Sequence, residues 1–299
     1  MTIYSKIKNI FNPLPENQKE LGYKPNFYIK FLRSIAETLI FLLRLNSNNR
    51  LSVETQQLLN PTMDIKLPAG DKLTFRTGHG RLLWRAKTLF TEEPIIIKWI
   101  DTFKNNDCFY DIGANVGNYT LYAAKTKKIK VISFEPEINN LQLLYENIYL
   151  NRLTDFCFPI QIALSDSTKV EKFFIRSMSK GDAMHSIGRK AFYLKETPEM
   201  FTLDAMVMSL DDAIEIFHLP KPSKLKIDVD SNELKIITGA SKTLAYVEEI
   251  CIELDTSFGE HQIVMDTLKS QSFFIYKKEP ISRKFNTTIA NYIFNKKNK

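Results

Sequence analysis

Residues 108–120 read CFYDIGANVGNYT, and this stretch decides the fold. A mostly apolar segment with one acid leads into a loop spaced by two glycines, and a helical pattern follows. Strand, tight loop and helix in this order bind nucleotide-like ligands at the carboxyl edge of an α/β sheet. Asn115 stands between the glycines, and because asparagine enters left-handed backbone geometry at modest cost, we expect the turn to form. The pattern alone leaves open an ordinary strand-to-helix turn with an exposed Asp111.

Two acids discriminate between the ligands that such a loop can bind. Asp111 lies two residues before Gly113, where an anion disfavours a pyrophosphate and favours a cation. S-adenosyl-L-methionine carries an ammonium and a sulfonium group, so Asp111 favours this ligand over a dinucleotide. A second apolar segment ends at Glu135, 24 residues after Asp111, where an acid can accept both ribose hydroxyls of an adenosine. Glu135 can also act as a helix-starting acid, with Pro136 in the first turn of that helix.

Further motifs follow the glycine loop in a fixed order: FEP at 134–136, ALSD at 163–166, SLDD at 209–212 and LKIDVDSNEL at 225–234. With the loop, they resemble the FkbM family of S-adenosylmethionine-dependent methyltransferases over roughly residues 90–255. The chain departs from the family at Asp230-Ser231, where Glu-Gly is frequent. The acid is retained there and serine can still begin a helix, so the departure does not alter the assignment.

The resemblance implies a class I methyltransferase fold, which is Rossmann-like, with a mostly parallel seven-stranded sheet and an antiparallel end. It also implies transfer of a methyl group to a hydroxyl oxygen of a sugar, a polyketide or a similar metabolite. We therefore expect residues 91–299 to form the methyltransferase domain. The predicted cofactor-binding residues are Asp111, Gly113, Ala114, Asn115, Gly117 and Glu135.

Residues 1–90 are expected to form an N-terminal extension made of an amphipathic helix and a hairpin. Apolar residues recur at helical spacing over Phe27–Leu45, but charged residues interrupt them, and a membrane span needs about 20 mostly apolar residues. We expect this helix to pack on the catalytic domain or on a second subunit, with contact to a membrane surface as the alternative. Residues 63–76 alternate around the turn Pro68-Ala69-Gly70-Asp71, which predicts the hairpin.

A hydroxyl acceptor must lose its proton as it is methylated, so the site needs a base or a metal. Asp228 lies near the end of the predicted fourth strand, where donor and acceptor meet, and His185 lies in a polar insertion at the same sheet edge. These two are the predicted catalytic residues, with Glu253 as a third candidate. Asp228, Asp230 and Glu253 also leave metal assistance open, although no spacing demands a metal site.

The third strand is predicted near Cys157–Ala163. In class I methyltransferases the end of this strand borders the adenine, so the resemblance makes Asp166 a candidate acceptor for the adenine amino group. An ordinary turn aspartate is the alternative. After the fourth strand, Asp230 or Ser231 is expected to cap a helix that stops at Gly239.

The composition is that of a soluble globular protein, with 44% hydrophobic and 25% charged residues. Lys and Arg number 41 against 34 Asp and Glu, and the net charge of +7 could attract nucleic acid. Residues 227–230 read IDVD, however, where base-methylating enzymes usually carry an Asn-Pro-Pro-aromatic motif, so we expect no nucleic-acid partner. The three cysteines and four histidines lack disulfide or metal-ligand spacing. No signal peptide is recognisable, so we expect a cytoplasmic protein.

Together these observations predict an S-adenosylmethionine-dependent O-methyltransferase. Its acceptor would be a hydroxyl of a sugar, of a surface-glycan precursor in polysaccharide biosynthesis, or of a similar metabolite. Two other functions stay open, an RNA methyltransferase and a non-catalytic protein that binds S-adenosylmethionine. Assembly into a homo-oligomer is compatible with the sequence.

Overall fold

The computed structural model describes residues 60–189, 199–281 and 288–297, together with seven helical positions between residues 31 and 41. It opens with a hairpin of β1 (Thr62–Lys66) and β2 (Lys72–Arg76), which pair antiparallel as the alternation predicts. Two short helices follow, α1 (Gly80–Lys87) and α2 (Pro94–Ile100).

The remaining elements alternate between strands and helices. In chain order they are β3 (Cys108–Ile112), α3 (Asn118–Lys127), β4 (Lys130–Phe134), α4 (Ile138–Leu150), β5 (Cys157–Ile160), β6 (Ala163–Ser165), β7 (Lys169–Ile175), β8 (Ser186–Ile187), β9 (Phe201–Ser209), α5 (Leu210–Ile216), β10 (Lys224–Ile227), α6 (Glu233–Thr238), a 3-10 turn (Thr243–Ala245), β11 (Glu249–Asp255), α7 (Gly259–Ser270), β12 (Phe273–Pro280) and β13 (Ile289–Lys296).

The main sheet has seven strands in the order β12-β13-β11-β10-β3-β4-β5. The five strands from β11 to β5 run parallel, and β13 pairs antiparallel with both β11 and β12. This confirms the predicted Rossmann-like methyltransferase fold with a mostly parallel sheet and an antiparallel end.

Both faces of the main sheet are covered, which explains why its central strands are apolar almost throughout. Successive side chains of β3 enter different cores: Phe109 packs with α2 and α3, whereas Tyr110 and Ile112 pack with α6 and α7. Asp111 and Lys226 are direct neighbours across the parallel pair β3–β10. By the same alternation, both project to the α2–α3 face of the sheet, where most other buried residues are apolar.

A second sheet of four strands, in the order β6-β9-β7-β8, lies outside the main one. It corrects the predicted third strand over 157–163, which is in fact two strands in two sheets. The chain leaves the main sheet after β5, where the amide of Ile162 donates to the carbonyl of Ile160. Strand β7 (Lys169–Ile175) pairs antiparallel with both β8 and β9.

Helix ends near the site differ from two local expectations and agree with a third. The N-cap of α6 is Asn232, not Asp230 or Ser231, and Ser231 instead adopts a positive φ of 70°. Helix α6 does stop before Gly239, but that glycine has an ordinary φ of −74°. Pro136 precedes the N-cap of α4, Glu137, whose carboxylate accepts a hydrogen bond from the amide of Asn140.

The hairpin packs into the core of the main sheet. Leu67, Leu73 and Phe75 are buried against residues of α2, α3 and α4. The proposed domain boundary at residue 90 therefore does not coincide with a break in packing. In the predicted helix over 27–45, the described positions between 31 and 41 are helical, and the rest lies outside the described residues. Among the described residues, no helix is long and apolar enough to cross a membrane.

Candidate active site

The glycine loop links β3 to α3 through three residues in left-handed geometry. Gly113, Asn115 and Gly117 have φ values of 78°, 50° and 92°, which confirms that Asn115 accommodates the turn. A Cβ on Gly113 would lie 2.0 Å from the carbonyl oxygen of Asp228. Because Gly113 lacks a Cβ, the loop can pack directly against the backbone of Asp228, which follows β10.

Every amide of this loop already donates a hydrogen bond within the protein. The amides of Gly113 and Ala114 donate to the carbonyl of Phe134, and that of Gly117 donates to the carbonyl of Ala114. Asn115 donates from its amide to Glu135 at 2.8 Å, and Val116 donates to the side chain of Asn115 at 3.0 Å. A phosphate-binding loop needs amides aimed at the ligand, so this loop is not arranged to hold a pyrophosphate.

Glu135 lies against the glycine loop, where its spacing from Asp111 predicts. Its carboxylate accepts from the amides of Asn115 and Glu137, at 2.8 and 2.9 Å. The side chain is only 5% exposed, and burial raises its pKa to about 7 although both hydrogen bonds favour the charged form. The carboxyl group is thus fixed at the loop, and its role at a ribose stays a prediction.

Asp111 departs from its expected role. Its carboxylate is 0% exposed and lies 3.3 Å from Nζ of Lys226. The hydroxyl of Thr120 donates to its other oxygen at 2.7 Å and lies 2.7 Å from the hydroxyl of Ser133. The structure therefore corrects the expectation that Asp111 faces a ligand cation, because the chain supplies its own cation here.

Lys226 joins the two acids at the ends of β3 and β10. Its ammonium lies 3.3 Å from Asp111 and 3.2 Å from Asp228, over the ring of Tyr119. Burial alone would lower the pKa of Lys226, but the charges of Asp228, Asp111 and Glu93 outweigh it and raise the pKa. The lysine is therefore charged, and it lies between the two carboxylates.

Asp228 is the member of this group that reaches the surface. Its side chain is 32% exposed, whereas those of Lys226 and Asp111 are buried. Its amide donates to the carbonyl of Ile112 at 3.1 Å, which fixes the residue at the edge of the sheet. The carboxylate is therefore paired with Lys226 and is also accessible at the surface.

Glu93 lies behind this group, at the N-cap of α2. It accepts hydrogen bonds from the hydroxyl of Tyr119 at 2.6 Å and from the amide of Asn291 at 3.0 Å. It is 9% exposed, and burial, followed by the charge of Asp228, raises its pKa. A carboxyl group that gains a proton readily thus lies within electrostatic reach of Asp228.

His185 is placed as a hydrogen-bond donor. Its Nδ1 accepts from the amide of Arg176 at 3.2 Å, so the ring proton of the neutral imidazole lies on Nε2. Burial and the charges of Arg176, Arg81 and Arg85 lower its pKa to about 4. This corrects the expectation that His185 is a general base, since the nitrogen that could take a proton is already an acceptor.

The insertion that carries His185 is tied to the glycine loop. The side-chain amide of Asn115 donates to the carbonyl of Asp182 at 2.6 Å, and that of Asn140 donates to the same oxygen at 3.0 Å. The carbonyl of Gly181 accepts from Nε of Arg85 at 2.9 Å. The insertion thus borders the loop, as its position after the third strand predicts.

Asp166 lies apart from this group, whereas Glu253 lies beside it, one residue after Ile252, the register partner of Ile227. Asp166 follows β6 of the second sheet, and its carboxylate accepts from Ser167 at 2.9 Å and from Lys169 at 3.0 Å within its own turn. Its role at an adenine stays a prediction. Glu253 lies within β11, in register with Asn291 of β13. In the described part of the chain, no group of three or more His, Cys, Asp or Glu is arranged to hold a metal ion.

Residues 111–275, more than half of the chain, match the Methyltransferase FkbM domain. The chain belongs to the FkbM methyltransferase family. The match begins at Asp111 and includes the glycine loop, Glu135, Lys226 and Asp228. The FkbM resemblance inferred from the sequence motifs is confirmed.

Individual relatives are distant. Hexuronic acid methyltransferase AglP of Haloferax volcanii is 24% identical over 172 residues, which are 58% of this chain and 66% of that protein. The chain thus spans slightly less than two thirds of this relative. The structure of methyltransferase FkbM from Methylobacillus flagellatus KT has a TM-score of 0.43 at 16% identity, covering 64% of this chain and 44% of that one. The structure of M. jannaschii TYW2 in complex with AdoMet has a TM-score of 0.42 at 13% identity, and the match covers 79% of this chain and 87% of that one.

Sequence reasoning missed two members of this FkbM site, Lys226 and Glu93. The signal for Lys226 was a lysine between apolar residues of a central strand, which is rare unless the charge is paired. Its partner follows only from the register that places it beside Asp111. Glu93 stood before a helix-starting proline and outside the FkbM match.

Proposed function

We propose that this protein transfers a methyl group from S-adenosylmethionine to a hydroxyl of a sugar, a glycan precursor or a similar metabolite. The observation that supports this most directly is the close approach of Gly113 to the backbone carbonyl of Asp228, which places this partly exposed acid at the glycine loop. Membership of the FkbM family and the relative AglP, a hexuronic acid methyltransferase, support a methyl transfer to a carbohydrate.

The residues of the glycine loop fit S-adenosylmethionine better than a dinucleotide. The loop amides are already engaged in hydrogen bonds within the protein, which leaves no ready site for a pyrophosphate. Gly113, Ala114, Asn115 and Gly117 would pack against the adenosine, and Glu135 would accept from the ribose hydroxyls. When bound, S-adenosylmethionine supplies an electrophilic methyl group on sulfur, which keeps the electron pair of the broken bond.

Asp228 is the group placed to take the acceptor's proton. Its carboxylate is partly exposed and lies 3.2 Å from the positively charged Nζ of Lys226. The acceptor hydroxyl would pass its proton to Asp228 as its oxygen forms the new bond to carbon. Glu93, whose pKa is raised by burial and by Asp228, lies behind as a second carboxyl group.

Titration calorimetry with S-adenosylmethionine and its demethylated product tests the cofactor assignment. Glu135→Ala should weaken binding by about 1–3 kcal/mol, because the ribose hydroxyls lose their acceptor. Asp166→Ala measures the adenine contact in the same assay. Tight binding of NAD with no binding of S-adenosylmethionine would overturn the assignment.

Methyl-transfer assays against nucleotide sugars and extracted surface polysaccharide test the chemistry. Asp228→Asn keeps the shape of the side chain and should lower turnover by about 10²–10⁴-fold, the usual contribution of a general base. Affinity for the demethylated cofactor should change only a few-fold. Asp230→Asn, two residues further along, is the matched control. Transfer to RNA, with every hydroxyl acceptor inert, would replace the proposed function with an RNA methyltransferase.

A further inference from the structure

Three arginines converge on the insertion beside the glycine loop. Arg81 and Arg85 lie on α1, and Arg176 follows β7. Guanidinium nitrogens of Arg81 and Arg176 both contact the carboxylate of Asp182, whose side chain is 1% exposed. One buried negative charge is therefore shared by two positive ones, and Arg85 adds a third through its bond to Gly181.

This arginine cluster, Arg81, Arg85 and Arg176, surrounds two buried donors that lack an acceptor. Within the described residues, Nε of Arg81 and Nε2 of His185 are buried without a hydrogen-bond partner. Nε of an arginine always carries a proton, and Nε2 of His185 carries one because Nδ1 accepts from Arg176. A buried donor without an acceptor is costly, so the two unpaired donors indicate a missing acceptor group.

The cluster borders the proposed methyl-transfer site. The negative charges of Asp228 and Glu135 raise the pKa of Arg85, although burial lowers it by more. The carbonyl of Asp182 is held by the side chain of Asn115 in the glycine loop. A molecule whose hydroxyl reaches Asp228 could therefore place another of its groups on the arginines.

We propose that the arginine cluster and Nε2 of His185 form a subsite for an oxyanion of the acceptor, so that the methylated substrate is an acidic sugar. The inference rests on the proposed function and adds the substrate class to it. Guanidinium groups bind carboxylate and phosphate oxygens through paired hydrogen bonds. Such a group would also supply the acceptor that Arg81 and His185 lack. The neutral imidazole is suited to this task, since it donates one hydrogen bond without adding a fourth charge.

The test compares three probes on the full chain saturated with the demethylated cofactor: glucuronate, glucose 1-phosphate and glucose, with binding measured by calorimetry. We expect one acidic probe to bind at least about tenfold more tightly than glucose. Whichever of glucuronate and glucose 1-phosphate binds more tightly shows whether the subsite prefers a carboxylate or a phosphate. Arg81→Gln should remove this preference. His185→Gln, which leaves Asp182 and its arginines in place, should reduce it by several-fold, so the test does not depend on one variant folding.

Arg189→Gln is the control, because Arg189 pairs with Glu260 outside the cluster and its loss should leave the preference intact. Equal binding of the three probes to the wild type would overturn the proposal. Loss of cofactor affinity in Arg81→Gln and His185→Gln would also overturn it, since the subsite would then hold the carboxylate of the cofactor. Failure of the wild type to bind the demethylated cofactor would instead refute the proposed function.

Discussion

At the scale of single residues, the charge balance of the site depends on Lys226. It pairs with Asp111, which is 0% exposed, and with Asp228. Lys226→Met would keep the side-chain volume and leave the buried Asp111 carboxylate without its cation. Removing one partner of a buried ion pair typically costs about 3–5 kcal/mol, and we expect a loss of this size in the free energy of unfolding measured with urea.

The double variant Lys226→Met/Asp111→Asn separates loss of the cation from loss of packing. If the ion pair matters, Asp111→Asn will be far less harmful in the Lys226→Met background than in the wild type, because the uncompensated charge is gone. Strictly additive effects would contradict the pairing.

Glu135 should make the stability of the protein depend on pH. Its pKa is raised to about 7 from an ordinary 4.5, with burial as the main cause. Between these two pH values the folded state holds a proton that the unfolded state releases, so stability falls as pH rises through this window, by about 3 kcal/mol in total. Glu135→Gln should remove that part of the slope in chemical unfolding between pH 4.5 and 7. Glu93, whose pKa is also raised, should leave a residual slope.

The sequence predicts the conformation of Asn115 and the position of Glu135 because both depend only on local structure. Asn115 takes a left-handed conformation because its own side chain tolerates it, and Glu135 meets the loop because one strand–helix unit fixes the distance. The pairing of Asp111 with Lys226 joins residues more than a hundred positions apart. It depends on strand order, which local patterns do not contain.

At the scale of elements, helix α4 docks the hairpin through two buried asparagines. The side chain of Asn151 accepts from the amide of Thr74 at 2.8 Å and donates to its carbonyl at 2.7 Å. Asn147 accepts from the amide of Arg76 at 2.8 Å and donates to the carbonyl of Val116 at 2.9 Å. These bonds replace a third strand beside the hairpin and connect it to the glycine loop.

Asn151→Ala should therefore destabilise the protein by about 1–3 kcal/mol, because the backbone amide and carbonyl of Thr74 lose their partners. Gln142→Ala, at an exposed position of the same helix, is the control and should change stability by less than about 0.5 kcal/mol. Thermal unfolding of both variants gives the comparison. Equal melting temperatures would mean that the hairpin does not depend on this contact.

Element boundaries also show where the sequence stops being sufficient. The sequence predicts a single strand over 157–163, yet the chain turns at Ile160 and enters the second sheet. The pairing that decides this is between β6 and β9, whose partners lie about forty residues apart. The N-cap of α6 shifts to Asn232 for a similar reason, since its side chain donates to the carbonyl of Leu164 at 2.6 Å instead of capping the helix.

At the scale of the whole molecule, the site draws on parts of the chain that the family match leaves out. The FkbM domain covers residues 111–275, but Arg81, Arg85 and Glu93 come from the helices before it. The hairpin shares its core with α3 and α4. The segment from residue 60 to 110 is therefore integral to the site, whereas the sequence motifs alone place its specific part after Asp111.

The two sheets meet through helix α6, and Gly239 lies at the closest approach. A Cβ there would lie 2.2 Å from the carbonyl oxygen of Ser165 and 3.2 Å from Cα of Asp166. Its φ of −74° suits any residue, so space alone requires the glycine. Gly239→Ala should lower the free energy of unfolding by about 1–3 kcal/mol, the usual cost of overpacking.

Gly259→Ala is the matched control, because a Cβ at Gly259 meets nothing within 4 Å and alanine favours the helix that begins there. It should leave stability unchanged or raise it by up to about 1 kcal/mol in the same urea titration. If the two variants unfold at the same urea concentration, the second sheet is not held against α6 as closely as this contact requires. A selective loss in Gly239→Ala supports a single packed unit in which β6, α6 and the strand leading to Asp228 move together.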